Sequence, residues 1–337
     1  MALSNYTSIY FTPLEDELRH AVAIVNGDGL SELYEMLAYH MGWQGEGTGI
    51  GTSGKRVRPL LLLLSCEAAG GNWKDALPAA AAVELVHNFS LIHDDIEDNS
   101  PLRRGRPTVW KKWGVPQALN AGDSLFTLAH LSILRLEEKV SPAITINAIR
   151  ILHETCLKLT QGQYMDISYE DRKDLTLEAY WPMVSGKTAA LLAACTGLGA
   201  LIAGADDERQ DNFCQFGHYL GLAFQAQDDL LGVWGNAALT GKSAESDLLT
   251  GKKSLPVLFG LSLNGPFAQR WKQGSLQPDE IPFLANQLEA EGARRYTQET
   301  VDTLTHQALS HLHKAVSGNE AGKSLEELAN LLIKRRG

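Results

Sequence analysis

Cysteine is scarce in this 337-residue chain: Cys66, Cys156, Cys195 and Cys214 are the only four, and they lie far apart. They show neither a CxxC pair nor a Cys/His metal spacing. That argues against a disulfide framework and a structural zinc site, and predicts buried free thiols in a reducing compartment. Basic excess is lacking as well. Thirty Lys and Arg against 40 Asp and Glu leave a net charge of −10, the wrong sign for a general nucleic-acid binder, so any basic patch has to be built locally. The longest strongly apolar stretches fall short of the roughly 20 residues that cross a bilayer. The first residues, MALSNYTSIYFTPLEDELRH, carry early acids and no long apolar run, unlike a secretory leader. A soluble, cytoplasmic protein without stable membrane insertion is expected. Proline is low at 12 and glycine moderate at 31, which favours long ordered elements over disorder.

What is there is helical. Leu14 to Asn26 and Leu30 to Met41 carry apolar residues at three- and four-residue intervals, and GEGTGIGTSG (45–54) then breaks the pattern. That loop lacks the strand-before, helix-after context of a dinucleotide fingerprint, and its lysine is not followed by Ser or Thr as in a P-loop; it reads as a mobile lead-in to GKRVRP. Long helical patterns follow at about 57–69, 75–98, 116–138, 142–168, 174–203 and 208–235, with shorter ones near 252–263, 279–290, 294–316 and 324–335. Alternating strand patterns are hard to find, no repeat recurs at a fixed period, and GGN (70–72) and AGADDE (203–208) join helices rather than domains. The expectation is one all-α domain spanning 1–337, larger than a four-helix bundle and packed by the same rules.

Two aspartate pairs stand out. In DDIED, Asp94 and Asp98 are four apart and share a helix face, with Asp95 beside them. Like charges at that spacing repel, so something must compensate. FQAQDDLLGVWG (224–235) repeats the oddity with Asp228 and Asp229. One such pair is as readily a salt-bridged helix end as a site. Two matched pairs in apolar helices suggest facing helices lining one cavity. Sparse hard oxygen ligands suit Mg²⁺, which keeps several waters and bridges carboxylates to substrate phosphates. Neither a DxDxDG calcium loop nor His/Cys zinc spacing is present.

The cations fall into short apolar-flanked segments: Lys55, Arg56 and Arg58 in GKRVRP, Arg103 and Arg104 after the first acids, Lys187 in SGKTAAL, and Lys242, Lys252 and Lys253 after the second. Guanidinium groups grip phosphate in bidentate fashion and lysine acts as a point charge. The set fits two diphosphates held together.

GKRVRP, HNFSLIHDDIEDNSPLRRGRPTVW, GKTAAL, FQAQDDLLGVWG and TGKSAESDLLTGKKSLPVL, in that order from about residue 50 to 260, resemble the trans-isoprenyl diphosphate synthases. The resemblance implies a large all-α bundle around a deep central cavity, the isoprenoid synthase fold, in a homodimer. It implies Mg²⁺-dependent head-to-tail condensation of isopentenyl diphosphate with an allylic diphosphate. By resemblance, Asp94 and Asp98, with Asp95 supporting, hold Mg²⁺ on the allylic diphosphate, and Asp228 holds a further ion. Lys55, Arg58, His87 and Arg104 match the isopentenyl diphosphate contacts; Arg103, Lys187, Lys242 and Lys252 match the allylic ones. Thr188, Gln225 and the Lys187 carbonyl would face the developing carbocation with negative dipole ends. The departing diphosphate can take the final proton, so His87 is read as a diphosphate contact and His93 as a structural helix residue. In one place the chain departs from the family: the second motif reads DDLLG, with Gly232 where a third acid is common; that acid helps only indirectly, and Asn236 or Asp247 is a candidate to stand in for part of its role. The tail KRRG (334–337) is as readily a frayed end as a basic cover.

Residues four or five before Asp94 lie about one turn deeper, placing Phe89 and Ser90 at the candidate floor of the product cavity. One aromatic beside one small residue points to a C15–C20 product, with C20, geranylgeranyl diphosphate, favoured. Two other readings share parts of the pattern. A class I terpene cyclase has no need of GKRVRP and RRGRPT. A non-catalytic partner subunit would not need an intact DDIED.

Overall fold

The hydrophobic periodicity resolves into helices throughout. The computed structural model describes residues 3–46, 54–235 and 246–334. Its helices, in chain order, are α1 (Leu3–Ala23), α2 (Ser31–His40), α3 (Val57–Ala68), α4 (Leu77–Glu97), α5 (Val109–Trp113), α6 (Val115–Leu134), α7 (Pro142–Tyr169), α8 (Leu177–Val184) and α9 (Ala190–Ile202). They continue with α10 (Asp207–Trp234), α11 (Ser246–Leu249), α12 (Leu255–Ser262), α13 (Pro266–Trp271), α14 (Ile281–Ala290), α15 (Ala293–Ala315) and α16 (Glu320–Ile333). Among the described residues the only sheet is a two-stranded hairpin, β1 (Leu102–Arg103) with β2 (Arg106–Pro107). The expected all-α class holds. Helix α1 begins well before Leu14 and carries Pro13 inside it.

The chain folds as two compact units, neither of them continuous in sequence. One takes Met1–His153, Cys195–Gln210 and Asn319–Ser324; the other takes Glu154–Ala194, Asp211–Gly318 and Leu325–Gly337. In the first, the run Ala79–Val83 of α4 and Leu61–Leu64 of α3 are wholly buried. Small alanines let neighbouring helices approach closely, and α4 packs extensively along α6, where Ser132 Oγ donates to the Pro78 carbonyl at 3.0 Å. The second unit has its own core of Val233, Leu248, Val257, Phe267, Ile281, Leu284 and Leu288, flanked by Trp234 and Trp271.

The pattern expected as one helix over 174–203 is broken. Pro182 lies in α8, and Ser185–Ala189 forms a π-turn before α9 resumes. Gly162 of α7 lets that turn come close: a Cβ there would lie 2.1 Å from the Lys187 backbone nitrogen. The stretch Leu177–Ile202 also corrects the expectation that no apolar segment is long enough for a bilayer. Within its 26 residues an 18-residue window reaches a mean hydropathy of 1.3, but 78% of that window is buried inside the protein, as in the core helix of a globular protein.

Candidate active site

The end of α4 sets the first cluster. Asp94 is half-buried, Asp98 is exposed at the helix C-cap, and Asp95 is only 2% exposed. Burying an ionised carboxylate requires partners, and Asp95 has them. Arg103 Nε lies 2.9 Å from both its oxygens, and Arg103 Nη2 lies 2.9 Å from Oδ1. Burial pulls the Asp95 pKa above its ordinary value, opposed by Arg103. Asp95, expected to support Asp94 and Asp98 in holding Mg²⁺, has both oxygens engaged by an arginine of the neighbouring hairpin. Here an acid and an arginine of this segment do pair.

The hairpin reverses through Arg104 and Gly105, at φ 52° and 75°, two consecutive left-handed residues as in a type I′ turn. This carries Arg104 toward Gly54, whose Cβ, if present, would lie 2.8 Å from Arg104 Nη2. Gly54 (φ +82°) and Gly45 (φ +92°) are the described ends of the glycine-rich loop; 47–53 lie outside the described residues. Next in the chain, Lys55 is exposed, Arg56 buried and Arg58 half-buried in the first turn of α3. Arg56 is a structural cation that charge pattern alone did not distinguish from its neighbours. At φ 48° it precedes α3, with Nε 2.7 Å from Glu15 and Nη1 2.9 Å from Glu84. Burial opposes its charge, and Glu84 and Glu15 outweigh burial to hold its pKa up.

His87 is half-buried on α4, and its pKa is pushed well below the ordinary imidazole value, by burial first and then by Arg58, Arg104, Arg103 and His40. His40, which nothing in its local sequence singles out, is pushed down to about 3 by burial, Arg104, Arg103 and Arg56. Two neutral imidazoles among guanidinium groups mark a strongly positive field suited to a polyanion. His93 packs its ring on Phe89 at 4.9 Å, and its Nε2 lies 3.7 Å from Asp123. Phe89 begins an aromatic row, with Phe126 at 4.9 Å from it, His130 at 4.4 Å from Phe126, and His153 stacked on His130 at 4.7 Å. Ser90 turns its hydroxyl back to the His87 carbonyl at 2.8 Å.

The second cluster, in the other unit, is organised by Asp229, 1% exposed. Its Oδ2 accepts from Tyr180 Oη at 2.8 Å and from the Leu255 amide at 2.9 Å, capping α12. Its Oδ1 accepts from Gln225 Nε2 at 3.0 Å and Lys252 Nζ at 3.2 Å. Four donors saturate the carboxylate. Asp228 beside it is half-buried. With its amide nitrogen on Asp229, Gln225 turns Oε1 to accept from Thr188 Oγ1 at 2.9 Å, which leaves the hydroxyl lone pairs facing elsewhere. Lys187, in the π-turn, is ion-paired with Asp166 of α7. A lone acid in QGQYMD carries no such signal in sequence. Burial opposes the Lys252 charge, but Asp229, Asp247 and Asp228 together raise its pKa.

Gly232 has a steric explanation. A Cβ at 232 would lie 2.3 Å from Asp247 Oδ2 and 2.5 Å from its Cγ. The space of a side chain there is filled by the carboxylate of Asp247, which also lies 3.5 Å from Lys252 Nζ. Asn236 and Lys242 lie outside the described residues, as do Arg335, Arg336 and Gly337 of the basic tail.

Hard carboxylate oxygens at Asp94, Asp98 and Asp228 fit Mg²⁺. Among the described residues no three His, Cys, Asp or Glu side chains converge as a metal cage. An ion held by one or two carboxylates plus phosphate oxygens and water needs none.

An acid-tipped helix beside a cationic hairpin is suited to holding a polyanion together with a divalent cation. Likeness to known proteins narrows this reading. The polyprenyl synthetase family model matches residues 48–277. A (2E,6E)-farnesyl diphosphate synthase of Mycobacterium tuberculosis is 38% identical over 311 residues, covering 89% of this chain and 86% of the relative. The crystal structure of a polyprenyl synthetase from Streptomyces coelicolor A3(2) superposes with a TM-score of 0.88 at 35% identity, over 98% of this chain and 99% of that one. A geranylgeranyl pyrophosphate synthase from Corynebacterium glutamicum, complexed with isoprenyl diphosphate and magnesium, superposes at 0.85 with 27% identity over the full length of both. The chain belongs to the polyprenyl synthetase family.

The His40 environment has a pH consequence. Its folded pKa, about 3, lies below the ordinary 6.5, so folding favours the neutral ring. That contribution is complete above pH 6.5 and is lost as pH falls from 6.5 toward 3. Denaturant unfolding across this window should show stability falling with acidity, and the slope should be shallower in His40→Gln. An identical slope would contradict the neutral, buried ring.

Proposed function

We propose that this protein is a short-chain prenyl diphosphate synthase that joins isopentenyl diphosphate head to tail to an allylic diphosphate with the aid of Mg²⁺. The observation that carries this reading is the grouping of Arg58, His87, Arg103 and Arg104 beside the acids that end α4, in a chain of the polyprenyl synthetase family. Asp94 and Asp98 are the ligands for Mg²⁺ on the allylic diphosphate, and Asp228 is the ligand for a further ion. Bound there, Mg²⁺ supplies charge neutralisation to the leaving diphosphate. Arg103, Lys187, Lys242 and Lys252 bind that diphosphate; Lys55, Arg58, His87 and Arg104 bind isopentenyl diphosphate.

With these roles the chemistry is simple. The allylic C1–O bond breaks and its electron pair leaves with the diphosphate. The isopentenyl double bond attacks C1, and a proton is then lost to the departed diphosphate. Cations fixed before the reaction stabilise the charge that develops on the leaving oxygen without reorganising. Thr188, whose hydroxyl proton is given to Gln225, turns an oxygen lone pair toward the cation. Asp229 holds Gln225 and Lys252 in place and takes no part in bond-making.

Phe89 limits the growing chain, backed by Phe126 and His130, which supports a C15–C20 product with geranylgeranyl diphosphate favoured. The named activities of the relatives, farnesyl and geranylgeranyl synthesis, fall in the same range. The homodimer expected of the family and a cytoplasmic location belong to the same proposal.

Purified protein incubated with Mg²⁺, isopentenyl diphosphate and allylic primers of several lengths should yield elongated diphosphates. Hydrocarbon or alcohol products would indicate a cyclase, and no turnover a partner subunit. Asp94→Ala should lower turnover by at least about a hundredfold, as expected when a charge-stabilising contact to the leaving group is lost; near-normal rates would contradict the metal role. Phe89→Ala should lengthen the product by at least one isoprene unit, read by chromatography of the dephosphorylated alcohols, whereas an unchanged distribution would sink the floor assignment.

A further inference from the structure

The RRGR hairpin poses a problem of its own. Each strand has two residues, too few for a hairpin to hold itself together in water. Its register sets Arg103 directly across from Arg106, and like charges in that position repel. The turn between them places a non-glycine residue, Arg104, at φ 52°. External anchors must therefore fix both strands. On β1 the anchor is Asp95, through Arg103.

The anchor on β2 is of a different kind. The Arg106 guanidinium lies 3.9 Å above the Tyr39 ring, its Nη2 donates to the Gln44 carbonyl at 2.7 Å, and its Nη1 donates to the Tyr39 carbonyl at 3.3 Å. Tyr39 in turn donates its hydroxyl to the Pro107 carbonyl at 2.8 Å, so one residue of α2 holds two consecutive residues of the strand. Trp113 packs edge-on against Tyr39 at 5.2 Å. Gly45 completes the seat: a Cβ there would lie 2.6 Å from Arg106 Nη2 and 2.9 Å from the Tyr39 ring. These partners are carbonyl dipoles and an aromatic face, which bind a cation without cancelling its charge. A carboxylate in their place would weaken the field that the hairpin presents to an anion.

We infer that Arg106, seated on Tyr39, is a positioning residue that fixes the hairpin so that Arg103 and Arg104 are preset for diphosphate. This rests on the proposed function, in which those two arginines bind diphosphate. The role assigned to Arg106 is to hold the strand, its guanidinium being taken up by the Tyr39 ring and two carbonyls. Its seat converts a short, self-repelling hairpin into a rigid support, and rigidity in the free protein reduces the ordering cost of binding.

The test uses the full-length protein and inorganic pyrophosphate, titrated by calorimetry without metal, together with KM and kcat for both substrates. Tyr39→Leu keeps all three arginines and removes the seat, so its pyrophosphate affinity should fall by about tenfold. The diphosphate KM should rise in step while kcat stays within about twofold, the pattern of lost binding common to ground and transition states. Arg106→Lys keeps the charge but loses the two-pronged hydrogen bonding and should weaken affinity in the same direction. Tyr39→Phe keeps the ring, loses one neutral hydrogen bond and should stay within about threefold of wild type. Near-ultraviolet circular dichroism identifies the variants that remain folded. Wild-type pyrophosphate affinity in a folded Tyr39→Leu or Arg106→Lys overturns the inference. Arg104→Ala separates the two layers: if it too binds pyrophosphate normally, the diphosphate reading of the hairpin fails, and if it alone binds weakly, only the positioning role fails.

Discussion

A carboxylate taken out of water must be given donors, and two buried aspartates that meet this demand organise the two clusters of functional side chains. Asp95 and Asp229 are 2% and 1% exposed, and each is the second acid of a DD pair. Asp95 fixes Arg103; Asp229 fixes Lys252 and Gln225, accepts from Tyr180 and caps α12. Removing one partner from a buried charged group typically costs about 3–5 kcal/mol, so these contacts tie the positions of the functional cations to the stability of the fold. The first acid of each pair, Asp94 or Asp228, is left half-buried. Each pair thus divides into a scaffold acid and an outward acid.

Around Asp95 the fold groups several arginines with two uncharged imidazoles. Arg103 has a carboxylate, but Arg106 is held by carbonyls and a ring, and His40 and His87 remain uncharged. An uncharged imidazole adds no like charge among guanidiniums, and it can donate to a phosphate oxygen when one arrives. The same burial that keeps these rings neutral makes their contribution to stability depend on acidity.

Much of this was legible in the sequence, for identifiable reasons. Helical periodicity is written by every buried face, so most helices fell close to their expected bounds. The DDIED–RRGRPT and QDD–GKK segments drew attention because charge in apolar surroundings is costly. Contacts set by three-dimensional approach were not legible. Nothing in the local sequence marks Arg56 as a structural cation beside two candidate ligands, Asp166 as the partner of Lys187, or Tyr39 as the seat of Arg106. The hairpin was hidden because strands of two residues have no alternation to read. The absent third acid of DDLLG looked like a weakness and proved to be a space filled by Asp247.

The division within each aspartate pair is the central claim, and a single comparison tests it most directly. Pyrophosphate binding is titrated against Mg²⁺ by calorimetry in the wild type, Asp228→Asn and Asp229→Asn, with the melting midpoint of each protein measured alongside. Asp228→Asn should keep the wild-type midpoint and lose the Mg²⁺-dependent part of the binding, while Asp229→Asn should lower the midpoint by several degrees, as about 1–3 kcal/mol of lost charged hydrogen bonds would do. The reverse assignment, with Asp229→Asn fully stable but blind to Mg²⁺ and Asp228→Asn binding normally, would contradict it.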